Sequence, residues 1–352
     1  MGSAPLAPAQ AELLERFRAG EVAALARAIS MVESERPGFK DLLHAVMTRD
    51  PSAARVGVTG PPGAGKSSLV AAVATRYRQA GERVGIVAVD PTSPYSGGAL
   101  LGDRIRMNDL ATDPGIFIRS MATRGSLGGL ATTTKEVVDL MDGFGFARVL
   151  IETVGVGQTE LEITAAADTV VVVLVPESGD AIQAMKAGLM EIADVFVVNK
   201  ADRPGSARLV KDLRQALHLR AGSALKDIPA HHGVDLGRVV TKERSEEPAP
   251  AEPLDWSVPV LATNALTDDG VDELLAAVAT HRAWMSESGQ LDQRRRDRAA
   301  IRIRDVVDRE LRRIAWKSEP ARELLRVGVE RITSGDDTPY SVARTILGAL
   351  LR

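Results

Sequence analysis

The chain has 352 residues, 45% of them hydrophobic and 26% charged, with a formal net charge of -3. That length supports one dominant domain with appendages, and the near-neutral balance gives no electrostatic reason to expect nucleic acid or an anionic membrane as partner. A protein or small-molecule partner is expected instead, and the absence of Cys excludes disulfides, thiolate metal sites and a catalytic thiol.

The opening MGSAPLAPAQ has no basic stretch followed by an apolar one. Leu6 stands where a myristoylation signal wants Ser or Thr. No apolar run approaches the ~18–20 residues of a membrane span, so a cytoplasmic location is expected. Residues 11–48 then place apolar side chains at helical spacing: Leu13, Leu14 and Phe17; Val22, Leu25 and Ile29; Leu42, Leu43 and Val46. Gly20 and Pro37-Gly38 break this pattern, which predicts two or three helices in an N-terminal extension over 1–50.

From Ala53 the pattern changes to short β-branched runs between helical stretches: ARVGVT, ERVGIVAV, GIFIRS, ARVLIE, DTVVVVLV and ADVFVV. Runs that are apolar throughout predict strands covered by helices on both faces, hence a doubly wound α/β domain with a mostly parallel sheet, placed at 51–288. A helix is expected near 206–219. Residues 221–257, rich in Lys, Glu and Pro with little periodicity, read as an exposed insertion. VPVLAT and a helix starting near Val271 complete the unit. The Arg-rich remainder, 289–352, reads as a helical arm whose charge most simply marks a solvated face.

Gly60-Pro61-Pro62-Gly63-Ala64-Gly65-Lys66-Ser67 satisfies the phosphate-loop pattern between the strand ARVGVT and a helix expected near Ser68. Its glycines let successive backbone N–H groups face a phosphate, with the positive end of the helix behind them. Lys66 is expected to bridge the β- and γ-phosphates and Ser67 to ligate Mg²⁺, with Ser68 next to them. Asn199-Lys200-Ala201-Asp202, after ADVFVV, fits the N-K-x-D pattern in which an Asp carboxylate accepts both N1–H and N2–H of guanine. Adenine lacks those donors, so the reading is GTP/GDP rather than ATP. Asn264-Ala265-Leu266, after the last strand, stands where a backbone N–H meets the guanine carbonyl, or forms an ordinary turn.

Asp90, at the end of ERVGIVAV, and Asp103, within 97–106, are carboxylates expected near Mg²⁺, with a helix cap or a solvated loop as the competing reading. Glu152 ends the next strand in Glu152-x-x-Gly155. It can polarise a Mg²⁺-bound or attacking water, while the Gly155 amide meets the γ-phosphate. Gln158 fits either a water-orienting residue or the surface start of a helix. No general base is assigned, and Arg104, Arg106, Arg119 and Arg124 are unranked candidates for a charge-stabilising arginine.

The set GPPGAGKSS, VDPTSPYSGGALLGDRIRM, FIRSMATRGSLGGL, ETVGVGQTE, VPESGDAIQAMKAGLMEIADVFVVNKAD and TNALTDDG resembles the MeaB/ArgK group of SIMIBI-class GTPases. The match is close over about 40–285, and the end pieces look similar too. The resemblance implies a homodimeric chaperone of cobalamin-dependent acyl-CoA mutases such as methylmalonyl-CoA mutase. Such a chaperone gates adenosylcobalamin transfer and protects or reactivates the mutase. It implies Lys66 and Ser67 on phosphate and Mg²⁺, Asp90 and Asp103 at the metal, Glu152 at the second switch, and Asn199, Lys200 and Asp202 on guanine. Residues 177–192, with Glu177, Gly179, Asp180, Gln183 and Lys186, resemble a further switch facing the mutase, and an ordinary helix start at Asp180 is the plainer reading. The sequence departs from the family at Asn264, where Ser is usual, and in the longer segment between His218 and Val258.

Two rivals share the class. Nickel-insertion GTPases resemble one another in holding their metal with Cys and His clusters, whereas this chain has no Cys and one adjacent pair, His231-His232. A small-molecule kinase needs an acceptor pocket with a general base, and no residue set singles one out.

Overall fold

The computed structural model describes residues 6–47, 52–90, 110–122, 132–153, 162–176, 188–224 and 256–350. The chain falls into two compact units, Met1–Arg294 and Arg295–Arg352. Three helices come first, α1 (Pro8–Arg18), α2 (Val22–Glu33) and α3 (Phe39–Met47). The α/β succession follows: β1 (Ala54–Thr59), α4 (Lys66–Gln79), β2 (Val84–Asp90), β3 (Ile116–Ala122), α5 (Thr132–Phe144), β4 (Arg148–Glu152), β5 (Thr169–Leu174), α6 (Leu189–Ile192), β6 (Val195–Val198), α7 (Ser206–Ala224), β7 (Val260–Ala262) and α8 (Val271–Glu287). Three further helices, α9 (Gln290–Lys317), α10 (Glu319–Thr333) and α11 (Pro339–Leu350), end the described chain.

The strands form one sheet in the order β3-β2-β4-β1-β5-β6-β7, and every pairing is parallel. The unbroken apolar runs explain this arrangement, because successive residues feed cores on opposite faces. On β4, Val149 and Ile151 pack with α1–α3 and α5, while Leu150 joins α4 and α8 on the other side. On β5, Val171 and Val173 join α4 and α8, and Val170, Val172 and Leu174 pack with α6 and α7.

The N-terminal helices share the core of the sheet. Phe17, 1% exposed, meets Phe144 of α5 edge-on with ring centroids 5.1 Å apart. Helical spacing at 11–48 showed which face would be apolar, and that face is packed on α5, β2 and β4. At the other end of the expected insertion 221–257, α7 continues to Ala224. Trp256 is half-buried, donating Nε1–H to the Asp194 carbonyl at 2.8 Å and packing against His281 and Trp284. The remainder, 225–255, including His231-His232, lies outside the described residues.

The sheet edge that carries the strand N-termini is held by buried charge. Asp194 accepts two bonds from Arg294, at 2.7 and 3.0 Å, and one from the Val170 amide at 2.8 Å, while the fully buried His281 lies 3.3 Å away. Burial alone would raise the Asp194 carboxyl. Bonds from His281 and Arg294 outweigh it and hold the group below the ordinary carboxylate range. A depressed folded value means that this stabilisation is complete above the unfolded value of about 4 and is lost as pH falls through the lower folded one. Asp194→Asn therefore lowers the melting temperature most near neutral pH, and thermal melts should show the gap to wild type narrowing from about pH 5 to pH 3. A gap constant over that range would refute the assignment.

Candidate GTPase site

Among the described residues, the carboxyl ends of the central strands gather Lys66, Ser67, Glu152 and Asn199, as expected for an open α/β sheet. The loop 60–65 links β1 to α4 and takes a conformation that requires glycine. Gly60 has φ 135°, and a Cβ there would lie 2.0 Å from the Val173 carbonyl oxygen of β5. Gly65 caps α4 in the left-handed region, φ 84°, where a Cβ would lie 2.4 Å from Asn199 Nδ2. The helix begins at Lys66, two residues before the expected Ser68, because the left-handed Gly65 turns the chain directly into it. Amides in the first turn of a helix have no intrahelical acceptor, and the turn carries the positive end of the helix dipole. The loop can thus receive an anion.

Lys66 is buried. Its Nζ donates to the carbonyls of Gly60 at 2.9 Å and Pro61 at 3.1 Å, so the ammonium lies over the phosphate loop. Ser67, also buried, donates its hydroxyl to Glu152 Oε1 at 2.7 Å across the gap between β1 and β4. Register explains the meeting: Val58 of β1 pairs with Glu152 of β4, so the strands end side by side. Beside them Thr59 and Thr153 share a 2.7 Å hydroxyl contact, and the Thr153 amide donates to the Val58 carbonyl. Sequence reading had not singled out either threonine.

Asn199, 2% exposed at the end of β6, joins three segments. Its Nδ2 donates to the Ala64 carbonyl at 2.9 Å, and its Oδ1 accepts from Thr263 Oγ1 at 3.2 Å and from the Ala265 amide at 3.1 Å. Lys200, in the left-handed region at φ 57°, reaches back to donate to the Gly63 carbonyl at 2.9 Å. Asp202 is exposed just beyond, and the Ala201 amide is fixed by the Thr263 carbonyl. The phosphate loop, the 199–202 segment and the 263–266 segment are thus cross-linked into one cradle. Asp202, exposed beside this cradle, is a carboxylate able to accept from a base that presents adjacent N–H donors.

Asp90 is the last residue of β2, paired in register with Ala122. Asp103, Gly155 and Gln158 lie outside the described residues, as do Arg104, Arg106, Arg124 and the segment 177–187. Arg119 is described and serves structure: its guanidinium on β3 pairs with Glu33 of α2.

Residues 25–320 match the family described as Methylmalonyl Co-A mutase-associated GTPase MeaB. The chain belongs to the MeaB family. A protein of Pyrococcus abyssi named as a GTPase is 41% identical over 97% of this chain and 96% of its own length. GTPase ArgK of Escherichia coli is 34% identical over 86% of this chain and 84% of its own. Among solved structures, that of an LAO/AO transport system kinase is similar with a TM-score of 0.66 and 27% identity, covering 99% of this chain and all of that one. This MeaB-family protein is thus a P-loop GTPase that binds GTP and GDP and hydrolyses GTP. No helix among its described residues is long and apolar enough to cross a membrane.

Proposed function

We propose that this GTPase is a Mg²⁺-dependent chaperone of an adenosylcobalamin-dependent acyl-CoA mutase of the methylmalonyl-CoA mutase type, gating cofactor loading and protecting or reactivating the mutase in the cytoplasm. The family match over 25–320, whose description associates it with that mutase, carries this reading.

Within the site, Gly60, Pro61, Pro62, Gly63, Ala64, Gly65 and Ser68 form the phosphate loop. Lys66 neutralises charge on the β- and γ-phosphates, moving from loop carbonyls to phosphoryl oxygens. Asn199 and Lys200 hold the loop to the guanine cradle, Asp202 accepts from the guanine edge, and Asn264, Ala265 and Leu266 border its carbonyl. Ser67 and Glu152 fit Mg²⁺. They place a hydroxyl and a carboxylate, both hard oxygen donors, 2.7 Å apart beside the phosphate loop, and Mg²⁺ uses few carboxylates alongside waters and phosphate oxygens. When bound there, the ion supplies positive charge to the phosphoryl oxygens. Glu152 also orients water, with Asp90, Asp103, Gly155 and Gln158 completing the arrangement.

The arm, 289–352, is proposed as a homodimer contact, and the GTPase domain as 51–288 with the helices of 1–50 packed on it. Exposed apolar side chains support the dimer: Ile303, Leu311, Trp316, Val329 and Leu347 are each more than half exposed, more than a solvated helical unit needs.

The decisive measurement is GTP hydrolysis by the purified protein with Mg²⁺, alone and with each of a panel of cobalamin-dependent acyl-CoA mutases, with ATP as control. One mutase should accelerate turnover at least about tenfold, because a charge-stabilising group supplied in trans is worth more than that. Rapid turnover indifferent to every mutase would remove the chaperone reading and leave the GTPase.

A further inference from the structure

Two buried threonines stand directly behind the residues that fit Mg²⁺. Thr59 ends β1 immediately before the phosphate loop, and Thr153 follows Glu152 at the end of β4. They are 0% and 1% exposed, and their hydroxyls meet at 2.7 Å, one donating to the other. Val58 with Glu152 is the last pair of the β1–β4 register, and the Thr153 amide adds a bond to the Val58 carbonyl at 3.1 Å. The hydroxyl pair therefore closes the two strands one step beyond their ladder, beside the 2.7 Å contact of Ser67 with Glu152.

Spacing is what this pair supplies. Two hydroxyl oxygens approach to 2.7 Å because a proton lies between them, whereas a methyl carbon in place of either rests at about 3.5 Å or more. An apolar contact would hold the strand ends about 1 Å farther apart. Mg²⁺ is sensitive to that distance. It takes oxygens at about 2.0–2.1 Å in a near-ideal octahedron, which sets neighbouring donors about 2.9 Å apart. Ser67 Oγ and Glu152 Oε1, at 2.7 Å, are close to that spacing. Ca²⁺ takes more oxygens, at about 2.3–2.6 Å in a flexible shell, and tolerates a wider pair.

We propose that Thr59 and Thr153 are positioning residues that set the Ser67–Glu152 spacing and so make the site selective for Mg²⁺ over a larger divalent cation. The inference rests on the Mg²⁺ fit proposed above and adds to it what holds the two donors at that distance.

The test is stopped-flow release of GDP in EDTA and across titrations of Mg²⁺ and of Ca²⁺. Wild type should release GDP at least about tenfold more slowly in saturating Mg²⁺ than in EDTA, since an ion held by both nucleotide and protein stabilises their complex. In Thr153→Val, half-saturation should need about tenfold more Mg²⁺, the cost typical of losing a group that orients a metal ligand. Half-saturation by Ca²⁺ and release in EDTA should each change less than about twofold. Thr153→Ser, which keeps the hydroxyl, should bring the Mg²⁺ response back to within about twofold of wild type. Because Thr153→Val orphans the Thr59 hydroxyl, the double variant Thr59→Val, Thr153→Val is measured as well. It leaves no unsatisfied group, so it should melt close to wild type and still show the tenfold loss of Mg²⁺ response. An unshifted Mg²⁺ curve in the double variant, or equal shifts for both ions, would overturn the proposal and leave the pair a structural contact. Wild-type release indifferent to Mg²⁺ would instead remove the Mg²⁺ reading itself, and the inference with it.

Discussion

Lys66→Ala should lower single-turnover GTP hydrolysis about 10²–10³-fold, the cost of removing one preorganised charge donor from a transition state whose charge spreads over phosphoryl oxygens. GDP binding should weaken less, about tenfold, because ground-state contact to the β-phosphate is shared with loop amides. The fold should survive, since Lys66 donates to the carbonyls of Gly60 and Pro61 at the sheet's open edge and the hydrophobic clusters lie below it. Lys66→Met, which keeps most of the stem, separates charge from packing and should behave like the alanine variant. Circular dichroism establishes that each variant is folded. Hydrolysis within about tenfold of wild type in either would show that Lys66 does not serve the phosphates.

Asp202→Asn should exchange the base. A carboxylate accepts from both N1–H and the 2-amino group of guanine. A carboxamide can accept from N1–H but turns a donor toward the second position, where guanine also has a donor and xanthine a carbonyl. Two charge-assisted bonds are at stake, so GDP affinity should fall about 10²–10⁴-fold while XDP becomes the preferred ligand. Because Asp202 is exposed, the change should leave melting temperature nearly untouched. Titration of both nucleotides against wild type and variant decides the matter, and a variant that keeps GDP within about threefold and gains nothing for XDP would refute the role.

The legible parts of this chain were those whose signal is local. Seven apolar runs became seven strands because each needs only its own residues to declare a two-sided burial, and the phosphate loop announces itself within eight consecutive positions. Asn199, Lys200 and Asp202 were placed by four residues at a strand end. What joins these pieces was not legible. The contact of Asn199 with Ala64, of Ser67 with Glu152 and of Arg76 with Asp272 each link residues far apart in the chain, and no spacing rule encodes which ends a parallel sheet will bring together. The stretch holding Trp256 illustrates the opposite failure. Its polar, proline-rich surroundings read as exposed, yet one aromatic ring is enough to dock that residue on His281 and Trp284. Likewise the periodicity at 11–48 named an apolar face without naming its counterpart.

That counterpart sets a schedule for synthesis. The helices α1–α3 leave the ribosome well before the surfaces that cover Leu25, Ile29 and Leu42, which come from α5, β2 and β4. At about 5–20 residues per second the nascent chain carries an uncovered apolar flank for seconds before its partners exist. A stall between α3 and α5 therefore leaves the chain at its most aggregation-prone, and slow translation over residues 48–131 should cost more soluble yield than equal slowing after α8.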